Sequence, residues 1–240
     1  MFSVFIADLH LGINGLSEKH NCFINFLEYL KPQCNKLYIL GDLFSYWYEH
    51  PGIDFYSENR VLKAVKEFSS DEKKVYFIYG NRDFTAGEFF RRYSGVEDIC
   101  DEFILEANNK KILLNHGDKF AKKDVRYQIW RIFIRSQISS FIFKNLPVGI
   151  AIRIVDKFKT IGKNRPARQR TIAENMISRA EAEIRTRNID TVIMAHAHFQ
   201  SEKVFFINGK EKNIFIIPEF EYPGKFLIME DNDIKYRDMG

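Results

Sequence analysis

Residues 2–10 read FSVFIADLH, a mainly apolar run that ends in an aspartate and a histidine. A short apolar run bounded by polar residues is typical of a buried β-strand. The same arrangement recurs along the chain, each time as an apolar run followed by side chains that can bind a metal ion. The predicted strands are Phe2–Ala7, Lys36–Leu40, Val75–Tyr79, Lys111–Leu114 and Thr191–Met194.

Helical patterns lie between these predicted strands. Residues 23–30, 61–68 and 172–184 repeat apolar side chains at three- and four-residue spacing, which indicates one buried face of a helix. Strands that alternate with helices predict an α/β fold with a largely parallel core.

The C-terminal region has a different pattern. Two apolar runs flank Asn208-Gly209, a dipeptide that favours the type I′ turn of a β-hairpin. Residues 225–229 and 233–236 predict a further pair of strands. An α/β beginning followed by an antiparallel end predicts two sheets packed together.

A short polar turn follows each of the first five predicted strands. The turns are Asp8-Leu9-His10, Gly41-Asp42, Gly80-Asn81-Arg82-Asp83, His116-Gly117-Asp118 and His196-Ala197-His198. Because ligands bind at the carboxyl ends of the strands in open α/β sheets, we expect these turns to converge on one crevice.

The turns carry carboxylate, imidazole and amide groups but no thiolate, which suits divalent ions such as Mn²⁺, Fe²⁺ or Zn²⁺. The predicted metal ligands are Asp8, His10, Asp42, Asn81, His116, His196 and His198. Seven side chains are too many for one ion, and they predict two ions that share a bridging carboxylate.

Each motif taken alone has a simpler structural explanation. An Asp-x-His sequence is usually a turn, and His116 alone could be a buried histidine whose ring nitrogens are hydrogen-bonded within the core. The motifs occur together, however, and four of the six histidines lie at the ends of predicted strands. This joint occurrence favours a metal site, while His20 and His50 are predicted to be surface or core residues.

The composition narrows the class of protein and its compartment. The chain has 240 residues, enough for one large domain. Its three cysteines show no CxxC spacing, which argues against a disulfide framework or a thiolate metal site and favours a reducing cytoplasm. No apolar run reaches the roughly 20 residues that span a bilayer, and the chain begins with a predicted strand. We therefore expect neither a membrane span nor a signal peptide.

Positive charge is concentrated in one segment. The net charge is +4, but residues 119–170 contain 14 Lys and Arg against two acidic residues. This segment has a helical pattern and is rich in Phe and Ile, so we expect it to meet an anionic partner. Nucleic acid is disfavoured because the basic residues alternate with long apolar ones, a mixture that suits a lipid better than a solvated groove.

The motifs resemble the five-motif pattern of the calcineurin-like metallophosphoesterases. The resemblance implies an α/β fold built as a four-layer α-β-β-α sandwich, in which helices flank two packed mixed β-sheets. The side chains implied for one ion are Asp8, His10, Asp42 and His198. Those implied for the other ion are Asp42, Asn81, His116 and His196. Asp42 would bridge the ions, and a hydroxide between them would be the nucleophile.

Longer segments, at residues 6–11, 37–44, 76–84 and 116–118, resemble the UDP-2,3-diacylglucosamine diphosphatases of bacterial lipid A synthesis. That subfamily cleaves its substrate to UMP and 2,3-diacylglucosamine 1-phosphate. Arg82 stands where many other calcineurin-like enzymes have a proton-donating histidine, and its guanidinium suits a phosphate oxygen. The implied catalytic residues are Asp42, Asn81, Arg82 and His116, and Mn²⁺ is the expected metal.

The subfamily also has a helical lid that covers the acyl chains of its substrate. We therefore expect a single domain over residues 1–240, with a helical lid inserted at residues 122–170. The implied substrate-binding residues are Asn81, Arg82, Asp124, Tyr127, Trp130, Lys163, Asn164, Arg168 and His196. A nucleotide-linked glycolipid substrate and a basic, apolar lid predict peripheral attachment to the anionic inner face of the bacterial inner membrane.

The sequence departs from the family pattern in two places. Ala195-His196-Ala197-His198 replaces the usual Gly-His-Thr-His, and residues 219–222 lack the usual Asp-Trp pair. Two alternative functions therefore remain. One is a related metallophosphoesterase that acts on another nucleotide diphosphate or on a phosphodiester. The other is a metal-binding scaffold without catalysis, against which the complete ligand set argues.

Overall fold

The computed structural model describes residues 2–13, 17–52, 56–70, 72–107, 109–121, 129, 136–159, 166–221, 223–231 and 233–239. The strands of these residues are β1 (Phe2–Ile6), β2 (Cys34–Ile39), β3 (Lys74–Ile78), β4 (Asp98–Cys100), β5 (Glu102–Ala107), β6 (Lys110–Asn115), β7 (Thr191–Met194), β8 (Ser201–Ile207), β9 (Lys210–Ile216), β10 (Lys225–Glu230) and β11 (Asp233–Asp238). Their helices are α1 (Glu18–Leu30), α2 (Arg60–Ser70), α3 (Glu88–Ser94), α4 (Asp118–Ala121), α5 (Gln137–Asn145), α6 (Val148–Lys159) and α7 (Pro166–Arg187).

The strands form two mixed sheets. The first has the order β11-β10-β1-β2-β3-β4, with β1 to β4 parallel to one another and β10 antiparallel to β1. The second has the order β5-β6-β7-β9-β8, with a parallel centre of β6, β7 and β9 and an antiparallel strand at each edge. The expected α/β fold with two sheets is therefore confirmed.

Three apolar layers hold the sheets and helices together. Val4 and Ile6 face outward from the first sheet and pack with the buried side chains of α1 and α2. Phe5 faces inward, into the layer that the two sheets share. Met176 of α7 lies in the third layer, on the far side of the second sheet. The order helix, sheet, sheet, helix is the expected four-layer sandwich.

Both histidines outside the metal motifs are buried. Ser17 precedes α1 and donates its backbone N–H to Nδ1 of His20 at 3.2 Å, so His20 helps to cap that helix. Nδ1 of His50 accepts the backbone N–H of Gly52 at 3.0 Å, and Nε2 donates to the carbonyl of Leu146 at 2.8 Å. Of the two predicted positions, surface or core, His20 and His50 therefore occupy the core.

The Asn208-Gly209 hairpin is also confirmed. Asn208 and Gly209 both have positive φ, at 51° and 75°, as a type I′ turn requires. Strands β8 and β9 pair on either side of this turn along their full length.

Helices α5 and α6 fall within the predicted lid segment. Ile138, Phe141 and Ile142 of α5 expose 69%, 70% and 51% of their surface, so these apolar side chains of the predicted lid segment are not packed on the core. α7 begins at Pro166, before the predicted end of the lid, and packs on the second sheet. In the described part of the chain, no helix is long and apolar enough to cross a membrane. The single domain and the lid bounds of 122–170 stay predictions.

Candidate metal centre

The polar turns after β1, β2, β3, β6 and β7 meet at one edge, where strands of both sheets end. Within the first sheet, the N–H of Asp8 donates to the carbonyl of Gly41 at 3.1 Å, and the N–H of Arg82 donates to Oδ1 of Asp42 at 2.8 Å. Between the sheets, the N–H of His196 donates to Oδ2 of Asp8 at 2.9 Å. The turns therefore converge as open α/β sheets predict.

Most of the predicted ligands lie in an uncommon backbone conformation. Those with positive φ are Asp8 (54°), His10 (50°), Asp42 (52°), His196 (70°) and His198 (53°). Positive φ is uncommon for residues other than glycine, and such strain is concentrated at functional sites.

Gly80 makes room for the carboxylate of Asp42. A Cβ atom at position 80 would lie 2.1 Å from Oδ1 of Asp42 and 2.3 Å from its backbone nitrogen. Gly41 is equally crowded, because a Cβ atom there would lie 2.5 Å from Cα of Gly80. Neighbouring turns approach each other so closely that both positions require glycine.

Two overlapping groups of atoms lie close enough together to hold a metal ion: Asp8 with His10 and His198, and Asp8 with Asp42 and His116. In the first group, Nε2 of His198 lies 3.1 Å from Nε2 of His10 and 3.5 Å from Oδ1 of Asp8. This Asp8 oxygen is buried and has no hydrogen-bond partner among the described residues. Acceptor atoms that converge in this way suit a cation.

The other predicted ligands surround His116. Its Nε2 atom lies 3.2 Å from Oδ1 of Asn81, 3.2 Å from Nδ1 of His196 and 3.8 Å from Oδ1 of Asp42. The second oxygen of Asp42, Oδ2, lies 3.9 Å from Nδ1 of His10 in the first group. Asp42 thus presents one oxygen to each group. Carboxylate, imidazole and amide donors fit borderline divalent ions.

Two of the imidazole rings are oriented by hydrogen bonds at Nδ1. His116 donates from Nδ1 to the carbonyl of Leu40 at 2.8 Å, and His198 donates from Nδ1 to Oε2 of Glu219 at 3.0 Å. Metal-binding imidazoles usually donate their other ring nitrogen in this way, which leaves one lone pair for the ion. In both rings that lone pair is on Nε2, the atom that faces the crevice.

Burial and neighbouring charges move the pKa values of the crevice in opposite directions. Burial raises the pKa of Asp42 to about 6 and lowers that of His196 to about 3. Burial also lowers the pKa of His198, but its interactions with the carboxylates of Asp8 and Glu219 outweigh burial and raise this pKa to about 10 in the metal-free protein. The Nε2 lone pair of this ring therefore becomes available only when a metal ion displaces its proton. Opposed shifts among groups in one crevice are typical of functional sites.

Arg82 lies at the rim of the crevice. Its backbone N–H binds Asp42, its carbonyl accepts the N–H of Trp47 at 2.9 Å, and its side-chain charge acts on both Asp42 and His10. The remaining predicted substrate contacts lie outside the described residues: Asp124, Tyr127, Trp130, Lys163 and Asn164, together with the side chain of Arg168. Their roles stay predictions.

Sequence reasoning did not assign a task to Asp83 or Glu219. The buried carboxylate of Asp83 accepts the backbone N–H groups of Leu43 at 2.8 Å and Gly80 at 2.9 Å, which ties two ligand-bearing turns together. Glu219 follows β9, and β9 runs parallel to β7, so its carboxyl end reaches the same edge as His198. The strand-end rule would have found Glu219 if this parallel pairing had been recognised.

The family model for calcineurin-like phosphoesterases matches residues 3–200. The chain belongs to the calcineurin-like phosphoesterase family. This membership confirms the resemblance inferred from the motifs, and with the curated relatives it identifies this phosphoesterase as a metal-dependent hydrolase.

Two curated relatives are similar to this phosphoesterase over nearly the whole chain. The UDP-2,3-diacylglucosamine hydrolase of Aliivibrio fischeri (strain MJ11) is 30% identical, covering 96% of this chain and 95% of the relative. The enzyme of the same name from Haemophilus influenzae (strain PittGG) is also 30% identical, covering 95% and 99%. A solved archaeal phosphodiesterase has a similar fold, with a TM-score of 0.51 at 12% identity over 100% of both chains.

Proposed function

We propose that this phosphoesterase hydrolyses the diphosphate of UDP-2,3-diacylglucosamine to UMP and 2,3-diacylglucosamine 1-phosphate, a step of lipid A synthesis. The observation that carries the proposal is the similarity to two UDP-2,3-diacylglucosamine hydrolases over almost the full length of each chain. The converging carboxylate, imidazole and amide groups support it, because cleavage of a diphosphate is accelerated by cations placed beside the reacting phosphate.

The proposed cofactor is a pair of divalent ions, with Mn²⁺ as first choice and Zn²⁺ or Fe²⁺ as alternatives. The residues proposed for the first ion are Asp8, His10, Asp42 and His198. Those proposed for the second are Asp42, Asn81, His116 and His196. The two oxygens of Asp42, at 3.9 Å from His10 and 3.8 Å from His116, support its bridging role. When bound, such ions supply Lewis acidity toward phosphoryl oxygens and lower the pKa of water.

Arg82 is proposed to bind a phosphate oxygen of the substrate. Its backbone is fixed between Asp42 and Trp47, so its guanidinium extends from a rigid support at the rim of the crevice. A planar guanidinium can donate two parallel hydrogen bonds to a phosphate. Both products of the cleavage are phosphate monoesters, which are good leaving groups, so the departure of either one does not require a strong general acid at position 82.

The lid helices are proposed to cover the acyl chains beside the metal centre. They contact the loop that follows Asp42, where the ring of Tyr48 meets Phe143 of α5 edge-on at a centroid distance of 6.1 Å. In the same loop, His50 donates to the carbonyl of Leu146, between α5 and α6. These contacts support a lid that is anchored next to the reacting diphosphate.

The exposed apolar side chains of the lid are proposed to contact the anionic inner face of the bacterial inner membrane. Ile138, Phe141 and Ile142 lie on α5 near Lys144, and the exposed Ile150 and Ile152 add apolar surface on α6. Apolar side chains near basic ones favour binding at the surface of an anionic bilayer.

The test is release of UMP from UDP-2,3-diacylglucosamine by the purified protein loaded with Mn²⁺. We expect turnover that is lost on chelation and in the Asp42→Ala variant, but kept when the exposed Asp238 is changed to Ala. Turnover of bis-p-nitrophenyl phosphate alone would favour a related enzyme with another substrate. No turnover of either compound would favour the metal-binding scaffold, and either result would contradict the proposal.

A further inference from the structure

We infer that Glu219 is a positioning residue that holds the ring of His198 and thereby sets the affinity of the metal site formed with Asp8 and His10. The inference deepens the proposed function, because it rests on the metal centre proposed there. Glu219 lies outside the seven predicted ligands and outside the five polar turns that carry them.

The geometry at Glu219 selects one form of the His198 ring. Oε2 of Glu219 lies 3.0 Å from Nδ1 of His198, and this carboxylate has only acceptor atoms to offer. In the neutral ring, which is the form that binds a metal ion, the proton therefore stays on Nδ1, and the lone pair on Nε2 faces Asp8 and His10 at 3.5 Å and 3.1 Å. Without the carboxylate, the ring would be free to rotate or to exchange its tautomer.

Glu219 is itself held on a well-anchored segment. Just before it, the N–H of Ile217 donates to the carbonyl of Met194 at 2.8 Å, which joins the ends of β9 and β7. Just after it, Phe220 is buried against Phe26 of α1 at a ring-centroid distance of 4.8 Å. Because the residues on both sides are fixed, the backbone of Glu219 is held in place, and its carboxylate can orient the His198 ring.

The two groups of predicted ligands differ in how their rings are supported. His116 is fully buried, and its Nδ1 binds the backbone carbonyl of Leu40, which no side-chain replacement removes. The side chains of His10 and His198 are each 19% exposed, and the partner of His198 is a side chain. Loss of Glu219 should therefore weaken the more exposed metal site and leave the site around His116 intact.

The experiment measures metal binding directly and without substrate. Metal-free wild type, Glu219→Ala, Glu219→Gln and Glu221→Ala are titrated with Mn²⁺ by isothermal calorimetry. The Mn²⁺ retained after dialysis against graded EDTA is then counted for each protein. Glu221 is the matched control, because it carries the same charge two residues away and is exposed. Since no lipid is present, the result does not depend on whether UDP-2,3-diacylglucosamine is the substrate.

We expect Glu219→Ala to weaken one Mn²⁺ site by about 10–100-fold, the usual effect of removing the hydrogen-bond partner of a metal ligand, and to leave the other site unchanged. Glu219→Gln keeps an acceptor oxygen at the same side-chain length and should stay within about threefold of wild type. Unchanged binding in Glu219→Ala, equal weakening of both sites, or the same loss in Glu221→Ala would overturn the inference. So would a Glu219→Gln variant that loses the site, because the nearly isosteric amide preserves the fold.

Discussion

Asp83 is predicted to stabilise the metal centre through backbone hydrogen bonds alone. Its carboxylate is fully buried and accepts the N–H groups of Leu43 at 2.8 Å, Gly80 at 2.9 Å and Asp42 at 3.2 Å. These donors belong to the turns after β2 and β3, which carry the predicted ligands Asp42 and Asn81. Replacing Asp83 by Ala leaves these three buried N–H groups without their acceptor, and it also removes a longer contact of 3.5 Å from the N–H of Phe44.

The size of the effect follows from these three donors. Leaving a buried donor unpaired costs about 1–3 kcal/mol. Water that enters the space left by the carboxylate can bind the donors, so the cost for each one should lie near the lower end of this range. The expected loss in the free energy of unfolding is therefore about 3 kcal/mol. In a chain of this size, each kcal/mol lowers the unfolding temperature by roughly 2–4 °C, which gives a decrease of about 6–12 °C for Asp83→Ala.

The assay is thermal unfolding of the metal-free protein in EDTA, because a bound ion would add its own stabilisation. Asp83→Asn should lose less than Asp83→Ala, since its amide oxygen still accepts one or two of the bonds. The exposed Asp238→Ala variant is the control and should stay within about 0.5 kcal/mol of wild type. An Asp83→Ala variant that unfolds at the temperature of this control would refute the reasoning.

Three further predictions concern the turn at Gly80 and the lid. Gly80→Ala places a Cβ atom 2.1 Å from Oδ1 of Asp42, so it should lower the free energy of unfolding by about 1–3 kcal/mol and reduce the bound Mn²⁺. Wild-type stability and wild-type Mn²⁺ content in this variant would disprove the crowding argument. His50→Phe removes the bond to Leu146 and should raise KM for the lipid substrate roughly tenfold, leaving bis-p-nitrophenyl phosphate turnover unchanged. Phe141→Asp should weaken binding to anionic vesicles about tenfold or more, without a change in unfolding temperature; unchanged vesicle binding would exclude α5 from the membrane contact.

The sequence predicted the central strands better than the edge strands, for a physical reason. β7 was predicted with its observed bounds, Thr191–Met194, because a strand buried on both faces is an uninterrupted apolar run. β5, Glu102–Ala107, was not predicted because it is an edge strand that begins and nearly ends in glutamate. The short β4 strand, Asp98–Cys100, offers too few residues for any periodicity.

In the candidate site, the sequence predicted the residues that are marked by their immediate neighbours and missed those whose partners are distant in the chain. The predicted ligands could be found because each follows an apolar run directly in the sequence. Asp83 could not be assigned from the sequence, since its partners are backbone N–H groups that any residue would supply, and those of Asp42 and Leu43 are about 40 positions away. Glu219 was seen only as a departure from the family pattern, because β9 was predicted as one arm of a hairpin and its parallel pairing with β7 has no sequence signature.

The central claim is that two divalent ions held by this crevice are needed for hydrolysis of a phosphoester bond. The most direct measurement is the rate of UMP release from UDP-2,3-diacylglucosamine as metal-free protein receives increasing Mn²⁺ per chain. We predict no hydrolysis without metal and a rate that rises until two ions are bound per chain. Full activity at one ion per chain, or activity of the metal-free protein, would contradict the claim.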